Sequence, residues 1–181
     1  MGVPHGLCKK ALEACMNILG LPGRDQATDQ WLQNLLSRIS GGSSLSVHGY
    51  RHWRDAGEPD VAYEAGLIAG LSADLVVAKS LGTMVLLAAF QQGFTPSGAV
   101  LIGLPLRAYD EDQLRLLQQF VRQRPCLFIQ QTGDFTGTFA ELEALLAGGE
   151  PTLVEVAGDD HVYSDTRELA QHIEAWRESL R

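Results

Sequence analysis

Three side chains, Ser80, Asp134 and His161, are of the types that together make an activated nucleophile. A serine oxygen attacks well only when a neutral imidazole takes its proton, and the imidazole needs a carboxylate to fix its tautomer and stabilise the cation that forms. In "DLVVAKSLGTMVLLAAF" (residues 74–90), Asp74 to Ala78 read as a buried strand and Leu81 to Phe90 as a buried helix, with Lys79 and Ser80 at the junction. "CLFIQQTGDFTGT" is a strand ending in Thr132-Gly133-Asp134, and "TLVEVAGDDHVYSD" is a strand ending in Gly158-Asp159-Asp160-His161. Open α/β sheets assemble their sites beyond the carboxyl ends of parallel strands, so the three side chains are expected on one rim.

The Ser-x-Gly tripeptide is a weak signal alone, and Ser40-Gly41-Gly42 repeats it between a helix and a strand, where the hydroxyl falls on the wrong side of any turn. Ser80 lies between strand and helix. A serine at that bend is backbone-strained and is tolerated only if the residues two before and two after are small, as Ala78 and Gly82 are. The competing reading is that Ser80 merely caps the Leu81 helix.

The elements that must position these groups alternate between short apolar runs and amphipathic stretches, the pattern of a mostly parallel sheet covered by helices on both faces. Expected strands are Met16 to Gly20, Leu45 to Gly49, Asp74 to Ala78, Ala99 to Gly103, Cys126 to Gln130 and Thr152 to Val156. Asp110 with Gln113, Thr138 with Glu141 and Asp165 with Glu168 mark helix starts. Leu169, Ile173, Trp176 and Leu180 form one apolar stripe, Leu114, Leu117 and Val121 another, and Trp31 with Leu35 share a face of a helix over 29–39. The first fifteen residues read as a short amphipathic extension, with Leu7, Ala11 and Leu12 opposite Lys9 and Lys10. "SGGSS" (40–44) separates elements rather than domains, so one domain over 1–181 is expected.

With 22 acidic against 14 basic residues the formal charge is -8, which disfavours nucleic acid or an anionic membrane surface as partner. Cys8, Cys15 and Cys126 form no C-x-x-C pair and no metal-ligand spacing with the histidines, so a reduced, cytoplasmic setting without zinc is expected. No run approaches a membrane span, and "MGVPHG" has Gly6 where an acylation signal wants Ser or Thr.

The segments "VVAKSLGT", "IQQTGD" and "VAGDDH" resemble the elbow, acid and histidine segments of α/β-hydrolases, in particular small, lidless dienelactone-hydrolase-like members. The resemblance runs from about Met16 to the C-terminus. It implies a three-layer α/β/α sandwich with six strands, lacking the family's first two strands and any cap domain, with the "LSVHG" strand at one edge. It also implies Ser80 as nucleophile, Asp134 as orienting acid and His161 as general base. Leu81 would supply one oxyanion-hole amide. "MNILGLPGRDQATDQW" resembles the family's strand and His-Gly loop with Pro22-Gly23 in its place, so Arg24 would supply the other. The literal His-Gly of "VHGYRHW" is the rival, but too little chain then remains before Ser80 for the intervening elements. Leu104, Pro105, Phe135 and Tyr163 are expected as walls of an open site suited to short acyl groups.

Other groups remain in view. Asp110, Asp159 and Asp160 are alternative acids, although the first suits a helix cap and the others a turn. His48 and His52 read as a solvated loop, His172 as an exposed helix face, and Lys79 as an exposed turn residue or a neighbour of developing charge. Arg24, Arg51 and Arg54 could converge on an anionic substrate. Gly20-Leu21-Pro22-Gly23 lacks the spacing of a nucleotide loop. The function that follows is hydrolysis of small carboxylic esters through an acyl-enzyme, with no cofactor and no metal. The alternative is a catalytically inactive hydrolase-like domain that binds a ligand or protein. An exposed edge strand would suit a homodimer.

Overall fold

The computed structural model describes residues 16–181, so the expected N-terminal helix, Cys8, Cys15 and the acylation-like start lie outside the described residues. The strands are β1 (Asn17–Leu21), β2 (Ser44–Val47), β3 (Leu75–Lys79), β4 (Gly98–Ile102), β5 (Cys126–Gln131) and β6 (Thr152–Val156). They form one six-stranded sheet in the order β2-β1-β3-β4-β5-β6, and every neighbouring pair is parallel. The helices are α1 (Ala27–Ile39), α2 (His52–Asp55), α3 (Val61–Ile68), α4 (Leu81–Gln91), α5 (Glu111–Gln123), α6 (Phe139–Leu146) and α7 (Thr166–Ser179).

Alternation of side chains along each strand divides the core into two layers. Leu75 and Val77 of β3 join Leu32, Leu35 and Ile39 of α1 and Leu169, Ile173 and Trp176 of α7. Val76 and Ala78 face the other way, toward Ala65 and Ile68 of α3, Val85 and Leu86 of α4, and Leu117 and Phe120 of α5. Because β3 and β4 are buried on both faces, their residues are apolar without alternation up to the terminal Lys79 of β3. The same parity sends Lys79, two residues after Val77, toward the layer of α1 and α7. Leu180 departs from the expected stripe: it follows the last turn of α7 and is 53% exposed, so the apolar face ends at Trp176.

Helix starts follow the sequence signals. Asp110 and Thr138 each form a reciprocal box, with Gln113 and Glu141 returning the hydrogen bond, whereas Asp165 accepts from the amides of Arg167 and Glu168. Between β4 and α5 there is only a three-residue 3₁₀ turn, Leu106–Ala108. No helix of the described residues is long and apolar enough to cross a membrane.

The close packing of α4 against β1 depends on one glycine. A Cβ on Gly82 would meet the Leu21 carbonyl oxygen at 2.1 Å, backbone that has no side-chain freedom to yield. Gly82→Ala is therefore expected to destabilise the protein by about 1–3 kcal/mol or more, as overpacking of a buried contact does. Gly66→Ala in α3, where the new methyl would lie 3.7 Å from the Gln92 side chain, is expected to be neutral or stabilising by up to about 1 kcal/mol. Urea denaturation of both variants checks the contrast.

Candidate active site

Ser80 is the single residue between β3 and α4, with φ 50° and ψ -115°. That conformation costs on the order of 1–3 kcal/mol for a residue with a Cβ. Its amide is tied to the Ile102 carbonyl at 3.0 Å, and its carbonyl accepts from both the amide and the hydroxyl of Thr83 at 2.9 and 2.6 Å. The Thr83 oxygen in turn accepts from the buried Tyr109 hydroxyl at 2.6 Å. The Ser80 side chain makes no capping bond to α4, which removes the simple helix-cap reading.

Its hydroxyl instead lies 2.9 Å from His161 Nε2, and His161 Nδ1 lies 2.7 Å from Asp134 Oδ2. An ionised carboxylate only accepts, so Nδ1 carries the proton and Nε2 is free to accept from the serine. Asp134 is fully buried. Burial pushes its carboxyl up, but hydrogen bonds from His161, from the amide and hydroxyl of Thr136 and from Tyr163 outweigh that and hold it down at about 2. The Thr136 bonds to Oδ1 measure 2.9 and 2.7 Å, and the Tyr163 bond to Oδ2 measures 2.8 Å. Thr136 Oγ1 also lies 3.2 Å from His161 Nδ1, within reach of the same proton.

The histidine loop is bent hard. His161 and Tyr163 both have left-handed backbone, φ 60° and 59°, which non-glycine residues rarely adopt. Gln131, at the end of β5, holds it from below: its Oε1 accepts from the His161 amide at 2.9 Å and its Nε2 donates to Asp160 at 2.9 Å. Trp31 Nε1 donates to the Tyr163 carbonyl at 2.9 Å. Gly103, with φ 59°, lets the Tyr163 ring come over the end of β4, where a Cβ would stand 2.7 Å from it.

Several expected roles change. Tyr163 is not a wall residue: it is 3% exposed, and its hydroxyl is spent on Asp134 and on the Gln131 amide at 2.9 Å. Leu104 is also buried, because Gln130 grips its amide and carbonyl at 2.9 and 3.3 Å and draws the loop into the core; Pro105 beside it is buried as well. Phe135 does face solvent, 61% exposed, with its ring 5.7 Å from that of His161. Val162, not anticipated and next in the chain after the histidine, is 53% exposed. Lys79 is no exposed turn residue either; it is 3% exposed and donates to the His161 carbonyl at 2.9 Å.

The loop of Pro22, Gly23 and Arg24 runs beside the serine, since a Cβ on Gly23 would lie 3.6 Å from the Ser80 Cβ. Leu81 is the first residue of α4, so its amide has no acceptor within the helix. The rival His-Gly segment supports the first loop from behind. Tyr50 donates to the Pro22 carbonyl at 2.8 Å, while His52 Nε2 and Trp53 Nε1 donate to the Arg24 carbonyl at 2.8 and 2.7 Å. His48 is not solvated: it contacts the buried Glu64 carboxylate at 2.7 Å. The guanidinium groups of Arg24 and Arg51 are taken by Glu58 and Asp60, at 2.6 and 3.1 Å, rather than gathered for an anionic substrate.

Asp110 is occupied as a helix cap and Asp160 in turning the histidine loop, through Gln131 and the Val162 amide. His172 is half-exposed on α7, 3.9 Å from Glu168. Among the described residues, no three His, Cys, Asp or Glu side chains are grouped to hold a metal ion. Thr136, Gln131 and Trp31 are the contributors that sequence reasoning missed. The one available signal was the Asp134-x-Thr136 spacing, in which an aspartate commonly accepts from the amide two residues on.

The carboxylate network carries a pH dependence with a definite sign. Since the folded state holds Asp134 below its ordinary value, its ionised form adds stability above about pH 4, and that contribution is lost as pH falls toward 2. Thr136→Val removes one hydroxyl donor, so the Asp134 carboxyl is expected to titrate higher and the stability lost between about pH 4 and 2 to be smaller than in the wild type. Carboxyl-carbon NMR titration alongside melting at pH 2–5 checks this; an unchanged midpoint contradicts it.

No protein-family model and no curated protein matches the sequence. Solved structures do match. A protein from Xanthomonas campestris pv. campestris assigned to the α/β-hydrolase superfamily superimposes with a TM-score of 0.65 at 15% identity, covering 90% of this chain and 98% of that one. The RedJ thioesterase from the prodiginine biosynthetic pathway of Streptomyces coelicolor gives 0.62 at 14% identity, covering 91% of each chain. An esterase domain from a Rhodothermus marinus protein gives 0.61 at 16% identity, covering 92% and 88%. With its parallel six-stranded sheet between two helical layers, the chain has the α/β-hydrolase fold.

Proposed function

We propose that this protein is a serine hydrolase that cleaves small carboxylic esters through an acyl-enzyme. The observation that carries the reading is the unbroken line of short contacts from the strained Ser80 hydroxyl through His161 to buried, ionised Asp134. In the first half-reaction His161 Nε2 takes the Ser80 proton while Oγ bonds to the ester carbonyl carbon. The Leu81 and Arg24 amides receive the charge that gathers on the carbonyl oxygen. His161 then returns the proton to the departing alkoxide as the ester C–O bond breaks. In the second half-reaction it deprotonates water, which attacks the acyl-serine, and it then gives that proton to Ser80 Oγ as the acyl C–Oγ bond breaks and the acid departs.

Asp134 stays ionised throughout and stabilises the transient imidazolium. The same steps serve a thioester, with a thiolate leaving in place of an alkoxide, and both esterase and thioesterase chains are among the structural neighbours. Exposed Phe135, its ring 5.7 Å from that of His161, offers apolar footing for a short acyl group.

Incubation with a fluorophosphonate probe tests the reading. One label per chain is expected on Ser80, with none on Ser80→Ala, and hydrolysis of short nitrophenyl esters is expected to fall by about 10⁶-fold in Ser80→Ala and about 10⁴-fold in Asp134→Asn. The rate should decline toward acid pH as His161 gains a proton and stops accepting. Folded protein that takes no label, or a rate that stays flat down to pH 4, would replace the enzyme with a hydrolase-like binding domain.

A further inference from the structure

We propose that Lys79 is a positioning residue for His161, its buried ammonium holding the histidine loop so that the imidazole stays aligned with Ser80. The inference rests on the hydrolase reading above and extends it to a residue outside the Ser-His-Asp line. Strand parity carries the Lys79 side chain away from the serine and underneath the loop after β6. There Nζ donates to the His161 carbonyl at 2.9 Å, 5.2 Å from the centre of the Tyr163 ring and 5.6 Å from that of Trp31.

Both backbone polar groups of His161 are thus bound by buried side chains, its amide by Gln131 and its carbonyl by Lys79. This matters because the residue is in left-handed conformation, with φ 60°. A strained backbone persists only where its surroundings over-determine it. Without the ammonium, the carbonyl loses its charge-assisted donor, and the loop can relax by turning the ring away from the hydroxyl.

The hold depends on pH. Burial pulls the Lys79 ammonium down to about 8, against the carboxylates of Asp134, Asp160 and Asp25, which favour the charged form. His161 and the Tyr163 phenol are the other titratable groups packed about it. Above that pH the neutral amine is a weaker donor and the clamp loosens.

The test measures second-order fluorophosphonate labelling of Ser80 in the full chain from pH 6 to 10, for the wild type and for Lys79→Met, which keeps the aliphatic stem. The wild type should lose rate on the alkaline side with a midpoint near 8. Lys79→Met should label about 10- to 100-fold more slowly at pH 7, the scale of a small misplacement, and show no alkaline limb. A variant that labels at the wild-type rate, or keeps the limb, overturns the proposal.

Wild-type NMR provides a second readout that needs neither the variant nor turnover. The His161 imidazole signals should shift with the same midpoint as the Lys79 ε-carbon. Imidazole signals indifferent to that titration overturn the proposal even if Ser80 never labels, whereas a shared midpoint without labelling leaves the clamp standing and removes the hydrolase reading.

Discussion

Everything at the rim of this sheet depends on one steric fact: the first turn of α4 lies against the end of β1 with no room for a side chain at Gly82. That contact leaves the chain no gradual route from β3 into α4, so the reversal falls on Ser80, which adopts a left-handed backbone to make it. The bend projects the hydroxyl away from its own helix and toward the loops beyond the neighbouring strands. It also sets the first amides of α4 close to the Pro22–Arg24 loop, because that loop leaves β1 at the point where the helix touches it. The proposed nucleophile and its proposed amide donors therefore share one mechanical origin.

A second strained element faces the first. The loop after β6 holds two non-glycine residues in left-handed conformation, and five side chains bind it: Trp31, Lys79, Gln131, Asp134 and Asp160. Each such bond is worth roughly 1 kcal/mol net, which together can offset strain of a few kcal/mol. The supports come from α1, β3, β5 and the loops after β5 and β6, so no single element sets the imidazole. Tyr163 is the keystone of this arrangement, since its phenol bonds Asp134 and the Gln131 amide while its carbonyl is held by α1.

What could be read from the chain alone divides along physical lines. Sheet and helical layers follow from apolar periodicity and capping residues, which are local signals, whereas the edge position of β2 follows only from the resemblance to α/β-hydrolases. The meeting of Ser80, Asp134 and His161 was legible because each follows an apolar strand, and parallel strands deliver their ends to one side. The supports were not legible, since Gln131, Trp31 and Lys79 act through distances that only the folded sheet creates. Tyr163 and Leu104 were misread for the same reason: an aromatic or aliphatic residue beside a site looks like a wall until the buried amides of Gln130 and Gln131 draw its loop inward. His48 and His52 look like solvated loop residues until Glu64 and the Arg24 carbonyl supply their partners.

The brevity of the link between β4 and α5 bears on what happens after acylation. Only a single 3₁₀ turn stands there, and Phe135 beside the histidine is open to solvent. On the proposed reading, with no cap inserted between β4 and α5, an ester would reach this rim by diffusion rather than through gating. The acyl-serine would meanwhile sit in bulk water at tens of molar. On that reading, water at so open a rim would outcompete a second alcohol for the acyl-serine, which favours hydrolysis over acyl exchange.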